Sequence, residues 1–298
     1  MSRMHADEAT ITEELVRGLL RERFPAWAEL PIDRVSSPGT VNALFRLGDT
    51  MSVRLPRVES GVQALLNERE WLPLLTPHLP VPVPEPLALG EPGPGFPWPW
   101  SVHRWLDGTH PAPGADQPLG LALDLAGFIR AVRGVPYRDG PASYRGGDLA
   151  DVDAATREAI TRLGADLDTA RATALWDESV AAPAWDGPPM WAHSDLLPAN
   201  LLVAGNGRLG GVLDFGTAGL GDPSCDLMPA WAVLPAGERG IFREALGVDD
   251  ASWLRGRGWA LSMALLGLPY YRETNPSFAA MCRRTIDAVL TATSSSCR

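Results

Sequence analysis

Residues 193–203 read HSDLLPANLLV, and residues 211–227 read GVLDFGTAGLGDPSCDL. The first stretch sets Asp195 five residues ahead of Asn200 and then runs apolar. The second ends an apolar run at Asp214 and continues to Asp222 and Asp226. Two short strands joined by a turn fold the chain back on itself, bringing Asn200 and Asp214 together as oxygen donors. Hard divalent cations prefer such donors. Asp195 is then free to orient a hydroxyl and accept its proton. This is the division of labour of kinase phosphoryl transfer, in which a loop Asp positions the nucleophile while an Asn and a strand-end Asp hold magnesium.

Taken together, the two stretches resemble the aminoglycoside phosphotransferase family of small-molecule kinases, which is related in fold to the protein kinases. The usual family loop is His-Gly-Asp with an Asn at this spacing, then a strand-end Asp, then Asp-Pro and a further Asp. The resemblance implies an α+β, bilobal, protein-kinase-like fold with an antiparallel sheet and helices in the N-lobe and a mostly helical C-lobe. It implies that Asp195 is the catalytic aspartate, that Asn200 and Asp214 bind Mg2+, and that His193 braces the loop. It assigns structural support to Asp222 and Asp226, with Asp226 anchoring a helix start and Asp222 bracing the catalytic loop. Ser194 stands where the family usually has glycine. Serine is tolerated there if the backbone keeps a negative φ, and it is read as filling space beside Asp195.

Outward from this centre, the N-terminal part is strand-rich. Thr10 and Glu13 form a capping box ahead of an apolar helical face from Ile11 to Leu20. NALFRLG and TMSVRLP flank a Gly48-Asp49 turn as a hairpin. VQALLNEREWL reads as a helix that Pro73 ends or kinks. The proline-rich residues 77–100 contain PLALG and run into WSVHRWL, which predicts a second hairpin with a long loop. Beyond Gly108 the pattern is mostly helical. The chain therefore divides into residues 1–105, a nucleotide-binding lobe, and residues 106–298, a catalytic and acceptor-binding lobe, with ligands between them.

On the nucleotide side, MSVRLPR places Arg54 where the family has a lysine on the third strand. Arginine keeps the charge and grips phosphate through two N–H groups, but its shape and hydration differ. Its expected acidic partner by spacing is Glu70, with Glu68 the second choice. Ser37, Gly39 and Thr40, in a glycine-poor loop, are expected to cover the phosphates. The segment between the lobes places adenine contacts near Arg104 and Leu106. Trp231, Trp253 and Trp259 are read as core rather than acceptor pocket, and the acids of residues 148–153 as a helix start.

Composition narrows the function classes. A formal net charge of −10 argues against a nucleic-acid partner. No run of eighteen apolar residues exists to span a membrane. The N-terminus lacks an apolar signal core. The cysteines Cys225, Cys282 and Cys297 are scattered, without metal or disulfide spacing, which fits a cytoplasmic location. Only a short glycine-rich turn follows Asp214, with no long activation segment and no Ala-Pro-Glu, so a peptide-docking platform is missing and no protein partner is implied. The expectation is a kinase moving the γ-phosphoryl group of ATP or GTP, with Mg2+, to a hydroxyl of an aminoglycoside or another hydroxylated antibiotic-like compound. The alternatives are a kinase of a metabolite alcohol or sugar, and a nucleotide-binding pseudokinase regulator, which Arg54 keeps open.

Overall fold

The computed structural model describes residues 8–35, 41–111, 119–136 and 139–291. Strand periodicity builds the first sheet. β1 (Ile32–Arg34) is followed by β2 (Asn42–Leu47), which buries every second residue, Ala43, Phe45 and Leu47, as a half-buried strand does. The Gly48-Asp49 turn leads into β3 (Met51–Pro56), and the two strands pair antiparallel from Leu47–Met51 to Asn42–Pro56. The second expected hairpin is β4 (Pro86–Gly90) with β5 (Trp100–Arg104), also antiparallel. Together they make one five-stranded sheet in the order β1-β2-β3-β5-β4.

Two helices flank these strands. α1 (Glu13–Arg23) buries Val16, Leu19 and Leu20 against the sheet. Its cap differs from the sequence reading: Thr12, not Thr10, is extended and accepts the Leu15 N–H on its hydroxyl, so the helix starts two residues later than a Thr10 box requires. α2 (Gly61–Leu75) also differs, because it continues through Pro73. The proline removes one intrahelical bond, but Leu72 and Leu75 on either side are fully buried in the larger core and hold the last turn in helical form.

The remainder packs around a second core that runs from Leu72 to Val289. Its helices are α3 (Leu119–Arg133), α4 (Asp153–Leu163), α5 (Thr169–Val180), α6 (Pro229–Ala232), α7 (Arg239–Leu246), α8 (Asp250–Tyr271) and α9 (Pro276–Leu290). α8 passes through the middle and buries two arginines, Arg255 against Asp222 at 2.7 Å and Arg257 against Glu178 at 2.8 Å. Trp231 and Trp259 are buried in this core and Trp253 packs on it, in line with the reading of these rings as core. Asp148 caps a short 3₁₀ turn and Asp153 binds Arg157 and Trp176, so these acids shape helix starts. Among the described residues no helix is long and apolar enough to cross a membrane.

Two small ribbons carry the motif residues. β6 (Met190–Ala192) pairs with β9 (Gly219–Gly221), and β7 (Leu201–Val203) pairs with β8 (Leu209–Val212), all antiparallel. The loop 193–200 leaves β6 and enters β7, and Asp214 follows β8.

Candidate active site

The loop 193–200 is held from below by one buried carboxylate. Asp226, fully buried, accepts the amides of His193 at 2.9 Å and Ser194 at 2.7 Å. Burial pushes the Asp226 carboxyl up from its ordinary value, although His193 and the two amide bonds pull the other way. This corrects the sequence reading of the two acids. Asp226 braces the loop, while Asp222 caps the 3₁₀ turn Pro223–Leu227 through the Ser224 amide and pairs with Arg255. The exchange has a simple cause: the 3₁₀ turn begins directly after Asp222 and carries Asp226 beneath the loop.

His193 is fully buried and ties the loop to the other ribbon. Its Nε2 lies 3.0 Å from the carbonyl oxygen of Leu213, and the Asp195 amide lies 3.3 Å from its Nδ1. The ring meets Phe215 edge-on at 4.7 Å. Thr217 closes the contact by donating its hydroxyl to the His193 carbonyl at 3.0 Å. Ser194 takes φ = 64°, in the left-handed region, contrary to the negative φ that the sequence reading required of a serine. Its hydroxyl does more than fill space, since it donates to the Thr217 carbonyl at 2.8 Å.

Asp195 and Asn200 meet at the mouth of this loop. Asn200 Nδ2 donates to both the Asp195 carbonyl and its carboxylate Oδ2 at 2.8 Å. With its amide nitrogen so committed, Asn200 Oδ1 has no hydrogen bond among the described residues. The Leu213 amide donates to the Asn200 carbonyl at 2.8 Å, which sets Asp214 beside Asn200. Asp214 also has a positive φ, 62°, and its side chain is about one-third exposed. Gly216 is required for close approach here, because a Cβ would sit 2.7 Å from that of Ala64 and 2.9 Å from its carbonyl oxygen on α2. The Asp214 turn and α2 are thereby pressed together.

The cation expected on the third strand is present, but with the other partner. Arg54 on β3 binds Glu68 at 2.7 Å and approaches Asp214 at 3.5 Å. Glu70 is exposed. Glu68 shares the buried stripe of α2 with Leu65 and Leu72, whereas Glu70, two residues on, turns about 200° away around the helix. Burial opposes the Arg54 charge, but the Glu68 and Asp214 carboxylates outweigh it and hold the guanidinium above its ordinary value.

A cleft opens between the sheet and the ribbons. Val41, Leu44, Leu106 and Leu202 form apolar walls, and Arg54, Asn200 and Asp214 are gathered at its polar end. Arg104 also lines it, although its amide is committed to the Glu85 carbonyl and its side chain to the Glu85 carboxylate. The Trp105 amide is taken by Thr50. The Leu106 amide has no such bond among the described residues. Ser37, Gly39 and Thr40 lie outside the described residues.

One residue of the site went unread in the sequence. Arg145 donates from Nη1 to the Ser194 carbonyl and to Asp195 Oδ1, each at 2.8 Å. It lies 50 residues before Asp195 in an ordinary-looking SYRGGD, with no local pattern to mark it.

The arrangement suits a divalent cation. Among the described residues no three His, Cys, Asp or Glu side chains cluster to hold a metal. Two oxygen donors, Asn200 Oδ1 and the Asp214 carboxylate, match the magnesium sites in which phosphate and water complete the shell.

Comparison with known proteins identifies the family and the fold. Residues 35–260 match the model of the phosphotransferase enzyme family, abbreviated APH. Among solved structures, the GDP complex of wild-type aminoglycoside 2'-phosphotransferase-IIIa is 19% identical and superposes with a TM-score of 0.73, covering 94% of this chain and 99% of that one. The GDP and kanamycin complex of APH(2")-IIia gives 19% identity and a TM-score of 0.73, covering 93% and 98%. The apoenzyme of the macrolide 2'-phosphotransferase MphH from Brachybacterium faecium gives 20% identity and a TM-score of 0.59, covering 95% and 99%.

Proposed function

Since the chain belongs to the phosphotransferase enzyme family, with the bilobal, protein-kinase-like α+β fold of its solved relatives, we propose that it transfers the γ-phosphoryl group of ATP or GTP to a hydroxyl of an aminoglycoside or other hydroxylated antibiotic-like compound. The observation that carries this reading is the meeting of Asn200, Asp214 and Arg54 at the polar end of one cleft, with the Asp195 carboxylate hydrogen-bonded to Asn200. The acceptor class follows from relatives whose structures hold kanamycin or gentamicin, or which are macrolide phosphotransferases.

In this reading the Leu106 amide and the apolar walls hold the base, and Arg54, braced by Glu68, steadies the phosphates. Asn200 Oδ1 and Asp214 hold Mg2+, which when bound neutralises phosphate charge. Asp195 receives the acceptor hydroxyl. Its carboxylate oxygens each use one lone pair, on Arg145 and on Asn200, and keep another for the incoming O–H. The acceptor oxygen bonds to the γ-phosphorus, the bond from that phosphorus to the β-phosphate bridging oxygen breaks, and the hydroxyl proton passes to Asp195. The nucleoside diphosphate leaves with the electron pair. Positioning and charge stabilisation supply most of the rate.

The test is release of ADP or GDP, with and without magnesium, across kanamycin, gentamicin, streptomycin, a macrolide, simple sugars and amino alcohols. Acceptor-dependent release that stops on chelation and in Asp195→Asn is expected. Nucleotide binding without release for any acceptor would replace the reading with a non-catalytic regulator, the alternative that Arg54 in place of the family lysine keeps open. Release only with a sugar or amino alcohol would reassign the acceptor.

A further inference from the structure

The loop that carries Asp195 has no arginine or lysine of its own, since Leu196, Leu197, Pro198 and Ala199 are the residues between it and Asn200. A cation is nevertheless delivered to Asp195 by a separate strap of chain, residues 141–146. The strap is stitched to the β9 side by main-chain bonds: Leu220 N–H to the Pro141 carbonyl, Ser143 N–H to the Leu220 carbonyl, Tyr144 N–H to the Thr217 carbonyl, and Asp222 N–H to the Gly146 carbonyl. Gly219 and Gly221 permit this fit. A Cβ on either would come within 2.5 Å of a strap carbonyl, that of Pro141 or Gly146.

So much fixed backbone places one side chain. Arg145 reaches the loop with Nη1 alone, touching both the Ser194 carbonyl and Asp195 Oδ1 at 2.8 Å. Its guanidinium lies 4.9 Å from the ring centre of Tyr144. Arg145 and Asp195 are 16% and 21% exposed, so the pair is largely shielded from bulk water but not sealed off. Asn200 grips the opposite carboxylate oxygen. The carboxylate plane is thus pinned from both sides, and the main chain beneath it is pinned by the same arginine.

We propose that Arg145 is a positioning residue for phosphoryl transfer, fixing the rotamer of Asp195 so that its free lone pairs face the incoming hydroxyl. This rests on the reading of Asp195 given above. The arginine acts through Asp195, so its loss lowers turnover and leaves nucleotide affinity alone. A misplacement of about 1 Å costs on the order of 100-fold in rate.

The experiment compares Arg145→Ala, Arg145→Lys and Asp195→Asn with the wild-type chain. It measures hydrolysis of magnesium ATP and GTP with water as acceptor, and transfer to any acceptor found active. The expected result is a kcat on the order of 100-fold lower in Arg145→Ala with an unchanged nucleotide KM. Arg145→Lys should fall between the two, because it keeps the charge but loses the planar fork. Added guanidinium chloride at low millimolar concentration should restore part of the rate to Arg145→Ala, whereas urea should not, and neither should rescue Asp195→Asn. Wild-type kcat in Arg145→Ala would overturn the inference alone. So would a loss that guanidinium does not restore and that follows a lowered unfolding midpoint, since that marks a purely structural residue. Wild-type turnover in Asp195→Asn, or no turnover in the wild-type chain, would remove the reading of the site and this inference with it.

Discussion

Arg54 on β3 donates from a single nitrogen, Nη1, to both carboxylate oxygens of Glu68 on α2, at 2.8 and 2.7 Å. The two side chains are 12% and 3% exposed, so Glu68 is cut off from water and Arg54 meets it only at the cleft. Breaking one side of such a pair leaves a buried charge and costs about 3–5 kcal/mol. Glu68→Ala should therefore unfold at markedly lower urea and lose nucleotide binding. Glu70→Ala, on the exposed face of the helix, should be within about 0.5 kcal/mol of the wild-type chain. Equal effects of the two substitutions on urea midpoint and nucleotide affinity would refute the pairing.

That pair also shows where sequence legibility ends. The ribbon that brings Asn200 to Asp214 was readable because both residues adjoin short apolar runs at fixed spacing, whereas the pairing of β6 with β9 was not read. The first hairpin was readable from equally local signals, β2 alternation and the Gly48-Asp49 turn. Glu68 was within reach, because it continues the Leu65 and Leu72 face of α2, a helical rule that counting from Arg54 passes over. The roles of Asp222 and Asp226 depend on how a 3₁₀ turn tucks under a loop some 30 residues earlier, and no local pattern encodes that. The Arg145 contact to Asp195 and the positive φ of Ser194 belong to the same class, because both are imposed by distant backbone.

Ser194 offers a ranking test. A left-handed φ costs a non-glycine residue about 1–2 kcal/mol, while its hydroxyl bond to the Thr217 carbonyl returns about 1 kcal/mol. Ser194→Ala keeps the strain and loses the bond, so it should be about 1–2 kcal/mol less stable. Ser194→Gly loses the same bond but relieves the strain, against about 0.5–1 kcal/mol of added unfolded-chain entropy, and should stay within about 1 kcal/mol of the wild type. Chemical denaturation of the three chains decides it, and an alanine variant more stable than the glycine variant contradicts the strain.

Asp226 should be intolerant of even an isosteric change. Its two oxygens each accept one amide, from His193 and from Ser194, in a site with no exposure. Asparagine has one acceptor and would set its own N–H groups against the second amide, leaving donors facing each other at a cost of about 1–3 kcal/mol. Because the lost bond lies beneath Asp195, turnover should fall together with the denaturation midpoint. Asp226→Asn with wild-type stability would show that the loop is held by His193 and Thr217 instead.

His103, on β5 behind Arg54, sets a pH dependence of stability. Burial, reinforced by the Arg54 charge and only partly offset by a hydrogen bond to Pro84, lowers its imidazole from the ordinary 6.5 to about 3. Its Nδ1 is buried without a hydrogen-bond partner among the described residues. Between these two values the unfolded chain binds a proton that the folded chain refuses, so stability rises with pH in that window and is complete above about 6.5. Falling pH withdraws it at about 1.4 kcal/mol per unit, or about 2 kcal/mol between pH 7 and pH 5. Asp226 works with the opposite sign, its raised carboxyl favouring the folded chain at acid pH, so the wild-type slope alone does not isolate the histidine. The comparison with His103→Gln does, because glutamine does not titrate. Urea unfolding at pH 5 and pH 7 should show a smaller acid loss in the variant by about 2 kcal/mol, and identical losses in the two chains would place the His103 ring in contact with solvent rather than in the dry layer behind Arg54.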